Sequence, residues 1–233
     1  MLTRFRALWL IGAAVVSFAP PLVARPDQAA AVVPVQCVSI GKPKLKVDYT
    51  YRQTESGGNA SAFTDRWEEF TATGSRLVTT KSSSKGQGVI TTVNRHRVAD
   101  DLLILDHSKQ TGADGGVRID NSSTFKPGVV ADPAGRACAS RTWPIRAVNV
   151  TSVSAQGQFS GMSDPGTLTI IAIHESITVP AGKFDTVHFK RIMNTARGPA
   201  VDEYWKSIEH GVTVKRVHTM PGGGVTAVLQ AIK

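Results

Sequence analysis

Residues 176–187 read Ser-Ile-Thr-Val-Pro-Ala-Gly-Lys-Phe-Asp-Thr-Val, and this stretch decides the fold of the chain. Pro180 presets the φ angle at the first corner of a tight turn, and Gly182 supplies the positive φ angle that closes a short hairpin loop. Phe184 is the first apolar residue after the turn, and β-branched residues lie in both strands that the turn connects. The stretch therefore predicts an antiparallel hairpin.

The apolar face changes parity within both strands of this hairpin. In the incoming strand, Leu168 is at an even position and Ile177 at an odd one, and in the outgoing strand Phe184 is even and Phe189 odd. Side chains of a strand alternate with a period of two, so a face changes only where a residue is inserted or the strand bends. We therefore predict a β-bulge or a sharp bend in both strands, which would curl the sheet.

Similar strand patterns extend in both directions from the hairpin. Residues 45–52 alternate without a fault and place Tyr49 and Tyr51 on one face. Residues 63–73 fit a short helix about as well as a strand, and we favour a strand because a second β-like run follows. Other strands are expected at residues 89–98, 102–106, 143–148, 202–208, 212–217 and 225–232. The predicted fold class is all-β: a strongly curved antiparallel sheet, either a half-barrel or an open barrel-like sheet, with little helix after the N-terminal segment.

A long interruption is expected at residues 108–136. Glycines and prolines break every candidate element there, including Gly115-Gly116 and Pro127-Gly128. We predict a loop that is either functional or poorly ordered.

The N-terminal segment resembles an export signal. Arg4 and Arg6 precede an apolar run at residues 7–18, and small residues follow it. The run is too short to span a bilayer. The predicted organisation is a signal peptide at residues 1–24, with cleavage as late as residue 31, an extended arm at 25–44 and a single β domain at 45–233.

Two cysteines, Cys37 and Cys138, are the only ones in the chain. In an exported protein an even pair usually forms a disulfide. We predict this disulfide and a periplasmic location, with secretion as the alternative.

The chain is basic, with a net charge of +9. Removing residues 1–24 leaves 25 basic and 18 acidic side chains and a net charge of +7. Such a charge favours peripheral contact with anionic envelope surfaces. Binding to nucleic acid is not expected, because the basic residues are scattered and do not alternate with aromatic residues as in a nucleic-acid groove.

Three motifs in the C-terminal part carry a family resemblance. They are Val-Pro-Ala-Gly-Lys-Phe-Asp-Thr at residues 179–186, Tyr204-Trp205, and Gly-Val-Thr-Val-Lys at residues 211–215. They resemble a family of Gram-negative envelope proteins known as a domain of unknown function, which is similar to the curved half-barrels of lipoprotein-carrier proteins. Those carriers hold acyl chains, and the resemblance implies their half-barrel fold more than their function. The chain departs from it at Glu209-His210, where members often have Pro-Gly, and the helical lid of a carrier is not evident.

Aromatic residues are the best candidates for ligand contacts. They could line the concave face of the sheet, although core packing would explain them equally. The candidate ligand-binding residues are Tyr49, Tyr51, Trp67, Trp143, Tyr204 and Trp205.

The sequence contains no motif for catalysis. The histidines are dispersed, and no nucleophile elbow, P-loop or dinucleotide fingerprint occurs. We therefore expect neither an enzyme nor a metal or other cofactor. A hydrolase with paired carboxylates is a less favoured alternative, with candidates Asp65, Glu68, Glu69, Asp202 and Glu203.

The favoured function is a non-catalytic envelope protein that binds an apolar or lipid-like ligand on the concave sheet face. The alternative is a structural or interaction module that contacts an envelope protein partner through its basic surface and residues 108–136.

Overall fold

The computed structural model describes residues 35–82 and 88–233. The predicted signal peptide, its cleavage site and residues 25–34 of the predicted arm lie outside the described residues. In the described part the secondary structure consists of strands and turns. No helix there is long and apolar enough to cross a membrane.

The described residues form sixteen strands. The strands are β1 (Cys37–Ser39), β2 (Asp48–Glu55), β3 (Ala60–Phe70), β4 (Gly74–Ser82), β5 (Val89–Ala99), β6 (Leu102–Asp114), β7 (Val117–Pro133), β8 (Arg136–Cys138), β9 (Thr142–Ile145), β10 (Asn149–Ser154), β11 (Gly157–Met162), β12 (Gly166–Val179), β13 (Gly182–Thr195), β14 (Gly198–Ser207), β15 (Thr213–Met220) and β16 (Gly223–Ile232).

Fourteen of these strands form one antiparallel sheet. Its order is β11-β10-β7-β6-β5-β4-β3-β2-β16-β15-β14-β13-β12-β9, and β1 pairs with β8 in a separate two-stranded sheet. Two meanders, β2 to β7 and β12 to β16, are joined at the centre by the pair of β2 and β16. This arrangement confirms the predicted all-β, antiparallel fold class.

The large sheet is so strongly curved that strands far apart in the strand order contact each other. The Lys206 ammonium on β14 donates to the Pro133 carbonyl on β7 at 2.8 Å, although seven strands lie between β7 and β14 in the sheet. The connecting segments reinforce this approach, since Gly41 N–H donates to the Ile208 carbonyl and Ser140 N–H to the Ile170 carbonyl. The sheet does not close, because β11 and β9 remain as its edges.

The hairpin at residues 176–187 is formed by β12 and β13. Val179 pairs directly with Gly182, whose φ angle is 138°, so the predicted positive φ angle is confirmed. The pairing register shifts twice along β12, between Ile170 and Ala172 and between Ala172 and Glu175. The predicted irregularity is therefore confirmed in this strand.

The bulge predicted for the outgoing strand is wrong. β13 pairs with β14 without a shift from Thr186 to Thr195, and both inserted residues of the hairpin are on β12. Phe184 packs in one hydrophobic core and Phe189 in the other. Apolar residues of both parities in β13 thus reflect burial on both faces of the strand.

The loop predicted at residues 108–136 is also not present. These residues lie mainly in β6 and β7, which pair through a hairpin turn at Gly115-Gly116. Gly112 has a φ angle of 135°, and a Cβ atom there would collide with the Val89 carbonyl of β5. In this segment glycine permits close approach of neighbouring strands.

The predicted disulfide between Cys37 and Cys138 is confirmed. The two cysteines are directly opposite each other in the β1–β8 pair, 101 positions apart in sequence. The bond ties the segment before β2 to the middle of the chain. Such a bond is compatible with an oxidising, exported location.

Two hydrophobic clusters stabilise the curvature of the sheet. The first joins Tyr49, Tyr51, Trp67, Leu103, Val179, Phe184, Val212 and Leu229, and the second joins Ile40, Leu102, Trp143, Leu168, Ile170, Val187, Phe189 and Tyr204. Each contains residues from both halves of the sheet. A fully buried side chain such as Leu168 or Phe189 contributes about 1.5–3 kcal/mol through removal of apolar surface from water.

Candidate functional site

A cavity of about 330 Å³ lies on the concave face of the sheet. Its walls come from β2 to β5 on one side and from β14 to β16 on the other, with Asp132 of β7 completing the lining. The curl brings these strands around one space. The volume is at the lower end of the range of about 300–1,000 Å³ that is usual for small-ligand sites.

One wall of the cavity is apolar and largely aromatic. Tyr51, Phe63, Trp67 and Leu77 line it. Tyr51 and Phe63 are paired across β2 and β3, and their rings stack with centroids 4.7 Å apart. The Tyr51 hydroxyl donates to the Thr213 carbonyl at 2.8 Å, which fixes the ring. This wall is a rigid apolar surface.

Asp65 interrupts the apolar wall. It lies between Phe63 and Trp67 on the same face of β3, and the Thr79 hydroxyl donates to its carboxylate at 2.5 Å. Burial raises the pKa of Asp65 to about 6, and the nearby Asp132 adds to this effect, while Thr79 and Arg216 oppose it. Asp65 is thus a carboxyl group that changes charge close to neutral pH.

The opposite side of the cavity is polar and charged. Lys206 is only 2% exposed, and its ammonium lies 3.7 Å from the Asp132 carboxylate in addition to its bond to Pro133. Burial lowers the pKa of Lys206, whereas Asp132 raises it. A buried ammonium requires such partners, because removing one partner of a buried ion pair costs about 3–5 kcal/mol.

Arg216 connects the cavity to a buried charge network around Asp202. The Asp202 carboxylate accepts from Arg191 at 2.7 Å and from Arg216 at 2.8 Å, and His218 Nδ1 lies 2.8 Å from it. Burial of Asp202 would raise its pKa, but the charges of Arg191 and Arg216 outweigh burial and lower the pKa to about 2. Asp202 is fixed as a carboxylate that holds the side chains of Arg191, Arg216 and His218 in place.

Tyr204 lies beside this network and lines the cavity. Arg191 donates to its hydroxyl at 3.1 Å, and its ring stacks on Phe189 with centroids 4.8 Å apart. Burial raises the pKa of Tyr204 to about 12, although Arg191 and Arg216 oppose the shift. The phenol therefore stays protonated at any physiological pH.

The structure brings three of the six predicted ligand-binding residues to the cavity: Tyr51, Trp67 and Tyr204. Tyr49 is buried beside it, and its hydroxyl accepts from the Lys44 N–H at 3.0 Å. Trp143 is packed in the second hydrophobic cluster, with the Arg141 guanidinium 4.5 Å from its ring centroid. Core packing accounts for these two side chains.

Trp205 lies on the opposite face of β14 from Tyr204. Its indole N–H donates to Glu175 at 2.8 Å, its ring stacks on His188, and the Lys215 ammonium lies 4.5 Å from its centroid. The second carboxylate oxygen of Glu175 lies 3.0 Å from His188 Nδ1. The polar and aromatic contacts of Trp205 are satisfied within this cluster, away from the cavity.

The candidate hydrolytic carboxylates are not brought together. Asp65 lines the cavity, but Glu68 and Glu69 do not, and Glu203 is on the face of β14 opposite Asp202. Asp202 is paired with the guanidinium groups of Arg191 and Arg216. Among residues 35–82 and 88–233, no group of three or more His, Cys, Asp or Glu side chains is placed to hold a metal ion.

Lys206, Arg216 and Asp132 are cavity residues that the sequence interpretation did not identify. Asp132 falls in the segment predicted to be a loop, and the other two are among many scattered basic residues. Asp65 had a usable signal, because it shares the parity of Phe63 and Trp67 and places a carboxylate on an otherwise apolar strand face.

The chain was compared with protein-family models, with curated proteins and with solved structures, and none of the three comparisons finds a match.

Proposed function

We propose that the protein is a periplasmic ligand-binding protein that holds a small amphipathic molecule in the concave-face cavity. Secretion is the alternative location. The observation that carries this proposal is the pairing of an aromatic wall with a buried carboxyl, Asp65, inside one cavity of about 330 Å³. An apolar body fits against Tyr51, Phe63 and Trp67, and a polar head group hydrogen-bonds to Asp65.

The size of the cavity limits the ligand. A volume near the lower end of the usual range favours a single short chain or a small ring system over a lipid with several acyl chains. The resemblance to envelope half-barrels agrees with an apolar ligand. The volume of the cavity indicates that this ligand is small.

The charge of the cavity also restricts the head group. Arg216 and Lys206 are already paired with Asp202 and Asp132, whereas Asp65 accepts from Thr79 and has capacity for a further hydrogen bond. Gln53, Lys81 and Asn94 add further polar groups to the lining. Below a pH of about 6 Asp65 donates a hydrogen bond, and above that value it attracts a donor or a cation. An alcohol both donates and accepts and so fits both states, whereas an amine, which is an ammonium at these pH values, fits the ionised state.

The test is a cavity-filling substitution. Ala227 lines the cavity on β16, and Ala227→Leu would occupy part of the ligand volume. Binding of decanol and decylamine would be followed by tryptophan fluorescence of the purified chain, and native mass spectrometry would show any co-purified ligand. We expect Ala227→Leu to weaken binding at least about tenfold, since small steric differences in an apolar pocket are worth about 1–3 kcal/mol.

Ala231→Leu is the matched control. Ala231 is on the same strand, but it pairs with Thr50, whose side chain is on the opposite face from Tyr51. The control should bind as the wild type does. Equal binding by the wild type and Ala227→Leu, or an empty wild-type protein that binds neither probe, would contradict the proposal and favour the interaction-module alternative.

A further inference from the structure

The concave face continues beyond the cavity toward the β11 edge of the sheet. Thr79 of the cavity is paired in register with Thr92 on β5, which is paired with Gln110 on β6, and Gln110 is paired with Asn121 on β7. Directly paired residues of antiparallel strands lie on the same face. These side chains therefore extend the face that carries the cavity.

A second row runs parallel to the first. Ser108 is paired with Ser123, Ser123 with Ser152 on β10, and Ser152 with Phe159 on β11. The Ser123 and Ser152 hydroxyls lie 2.8 Å apart. The middle residues of the two rows line a trough of about 420 Å³, which is separate from the aromatic cavity. Its lining residues are Thr92, Ser108, Gln110, Asn121, Ser123, Ser152, Val153, Ser154 and Gln156.

Apart from Val153, the trough is lined by hydroxyl and amide side chains. None of its described lining residues is charged, in a chain that carries 27 basic and 18 acidic residues. The charged neighbours Lys109 and Asp120 form their ion pair on the other face, because they alternate with Gln110 and Asn121 along their strands. The uncharged lining is therefore a property of this face of the strands.

Phe159 ends the second row and lies beside the trough through its pair with Ser152, outside the lining itself. It is 68% exposed, and a Cβ atom at Gly161 would lie 3.0 Å from its ring. The ring thus rests against the backbone of Gly161, the next residue on the same face. One side of the ring is supported by glycine and the other side is open.

We propose that this trough, with Phe159 beside it, binds a neutral oligosaccharide. Each hydroxyl and amide both donates and accepts hydrogen bonds, which matches the hydroxyl groups of a sugar. The apolar face of a pyranose ring stacks on the open side of Phe159. An ionic ligand would lack a counter-charge here, and an apolar ligand would leave the hydroxyls and amides without partners.

The experiment is a titration of the purified chain with two neutral linear tetrasaccharides, one of glucose and one of N-acetylglucosamine, followed by calorimetry and by NMR. We expect at least one to bind. Phe159→Ala and Gln110→Ala should each weaken that binding at least about fivefold, because each removes a stacking surface or a two-sided hydrogen-bonding group. Preference for one sugar identifies whether the acetamido group is recognised.

Two variants on the other face are matched controls. Met162 is on the same strand and equally exposed, at 68%, but is paired with Asn149 on the opposite face, and Gln158 also faces away from Ser152. Met162→Ala and Gln158→Ala should bind as the wild type does. Ala227→Leu should do so as well, which separates this site from the aromatic cavity.

The proposal is overturned if neither tetrasaccharide binds at millimolar concentration. It is also overturned if Phe159→Ala and Met162→Ala have equal affinities, because binding would then not use the concave face.

Discussion

The ionised carboxylate of Asp65 lowers the free energy of unfolding of the protein. Its pKa is raised to about 6 from an ordinary value of 3.8, so the folded protein holds the carboxyl proton more tightly than the unfolded chain does. The resulting stabilisation is fully present below a pH of about 4 and is lost as the pH rises through 6. A residue that costs stability at neutral pH is a candidate for a role in binding.

Asp65→Asn should therefore stabilise the protein more at pH 7.5 than at pH 4.5, because the folded-state carboxyl is protonated at the lower pH. Asparagine keeps the shape and can still accept from Thr79, but it carries no charge. We expect a gain of about 1–3 kcal/mol in the free energy of unfolding at the higher pH. Urea unfolding at the two pH values measures it.

Asp120→Asn is the control for this prediction. Asp120 is half-exposed and lies 3.8 Å from Lys109, so its substitution should have a small effect at both pH values. If Asp65→Asn changes stability by the same amount at pH 4.5 and pH 7.5, the carboxyl does not titrate as described.

For single residues, prediction of the cavity lining from the sequence was limited because successive side chains of a strand point to opposite faces of the sheet. Tyr204 and Trp205 are adjacent in sequence, so their side chains point to opposite faces and only one of them can reach the cavity. Tyr51 was a candidate because it is an aromatic residue on a strand with clear alternation, and Trp67 was a candidate as an aromatic residue alone. The sequence pattern alone does not distinguish which face of β14 is concave.

At the scale of elements, the β12–β13 hairpin depends on Gly182. Its φ angle of 138° is a conformation that β-branched residues avoid, while a Cβ atom would meet only the Phe184 ring at 3.8 Å. Gly182→Val should lower the free energy of unfolding by about 1–3 kcal/mol through backbone strain and reduce the yield of soluble protein. Thermal unfolding and expression yield are the measurements.

Gly57→Val is the comparison for that substitution. Gly57 is also in a hairpin turn, but it does not have a positive φ angle and has open space around it. This variant should remain close to wild type. Equal stability of both variants would show that the turn does not require glycine.

The long β6–β7 hairpin shows why some elements were not predictable. Its outer half has hydroxyl and amide side chains on the concave face and charged side chains on the other, so it lacks the apolar alternation that identifies a strand. Gly112 and Gly128 have positive φ angles inside the paired strands, where they allow close packing and bulges. The same residues in a sequence resemble a loop.

At the scale of the whole molecule, the disulfide constrains a long segment of the chain. Its cysteines are 101 positions apart, and a closure of this length stabilises the folded state by about 4–5 kcal/mol in the chain-entropy model, which is an upper value. The Cys37→Ala/Cys138→Ala double variant should lose up to this amount. Urea unfolding with and without reductant measures it.

Reductant provides the internal control, since it should destabilise the wild type and leave the double variant unchanged. A double variant as stable as the oxidised wild type would show that the bond does not contribute to stability.

The curl of the sheet was predictable only in outline. Consecutive hairpins follow from the turns, and the parity change in β12 indicated bending. The pair of β2 and β16 and the contact of Lys206 with Pro133 join residues that are distant in sequence, and no local pattern specifies such partners. The cavity depends on these contacts, so its polar residues were not identified.

The central pair of β2 and β16 also determines how the chain can fold. Ser56 donates to the Gly224 carbonyl 168 positions later, and this pair joins the two meanders. Each meander can form early from neighbouring strands, but the pair that unites them has a very high contact order and forms slowly. Until it forms, the facing edges of β2 and β16 are unpaired and open to aggregation. A nascent chain therefore has to keep its first meander protected until β16 becomes available.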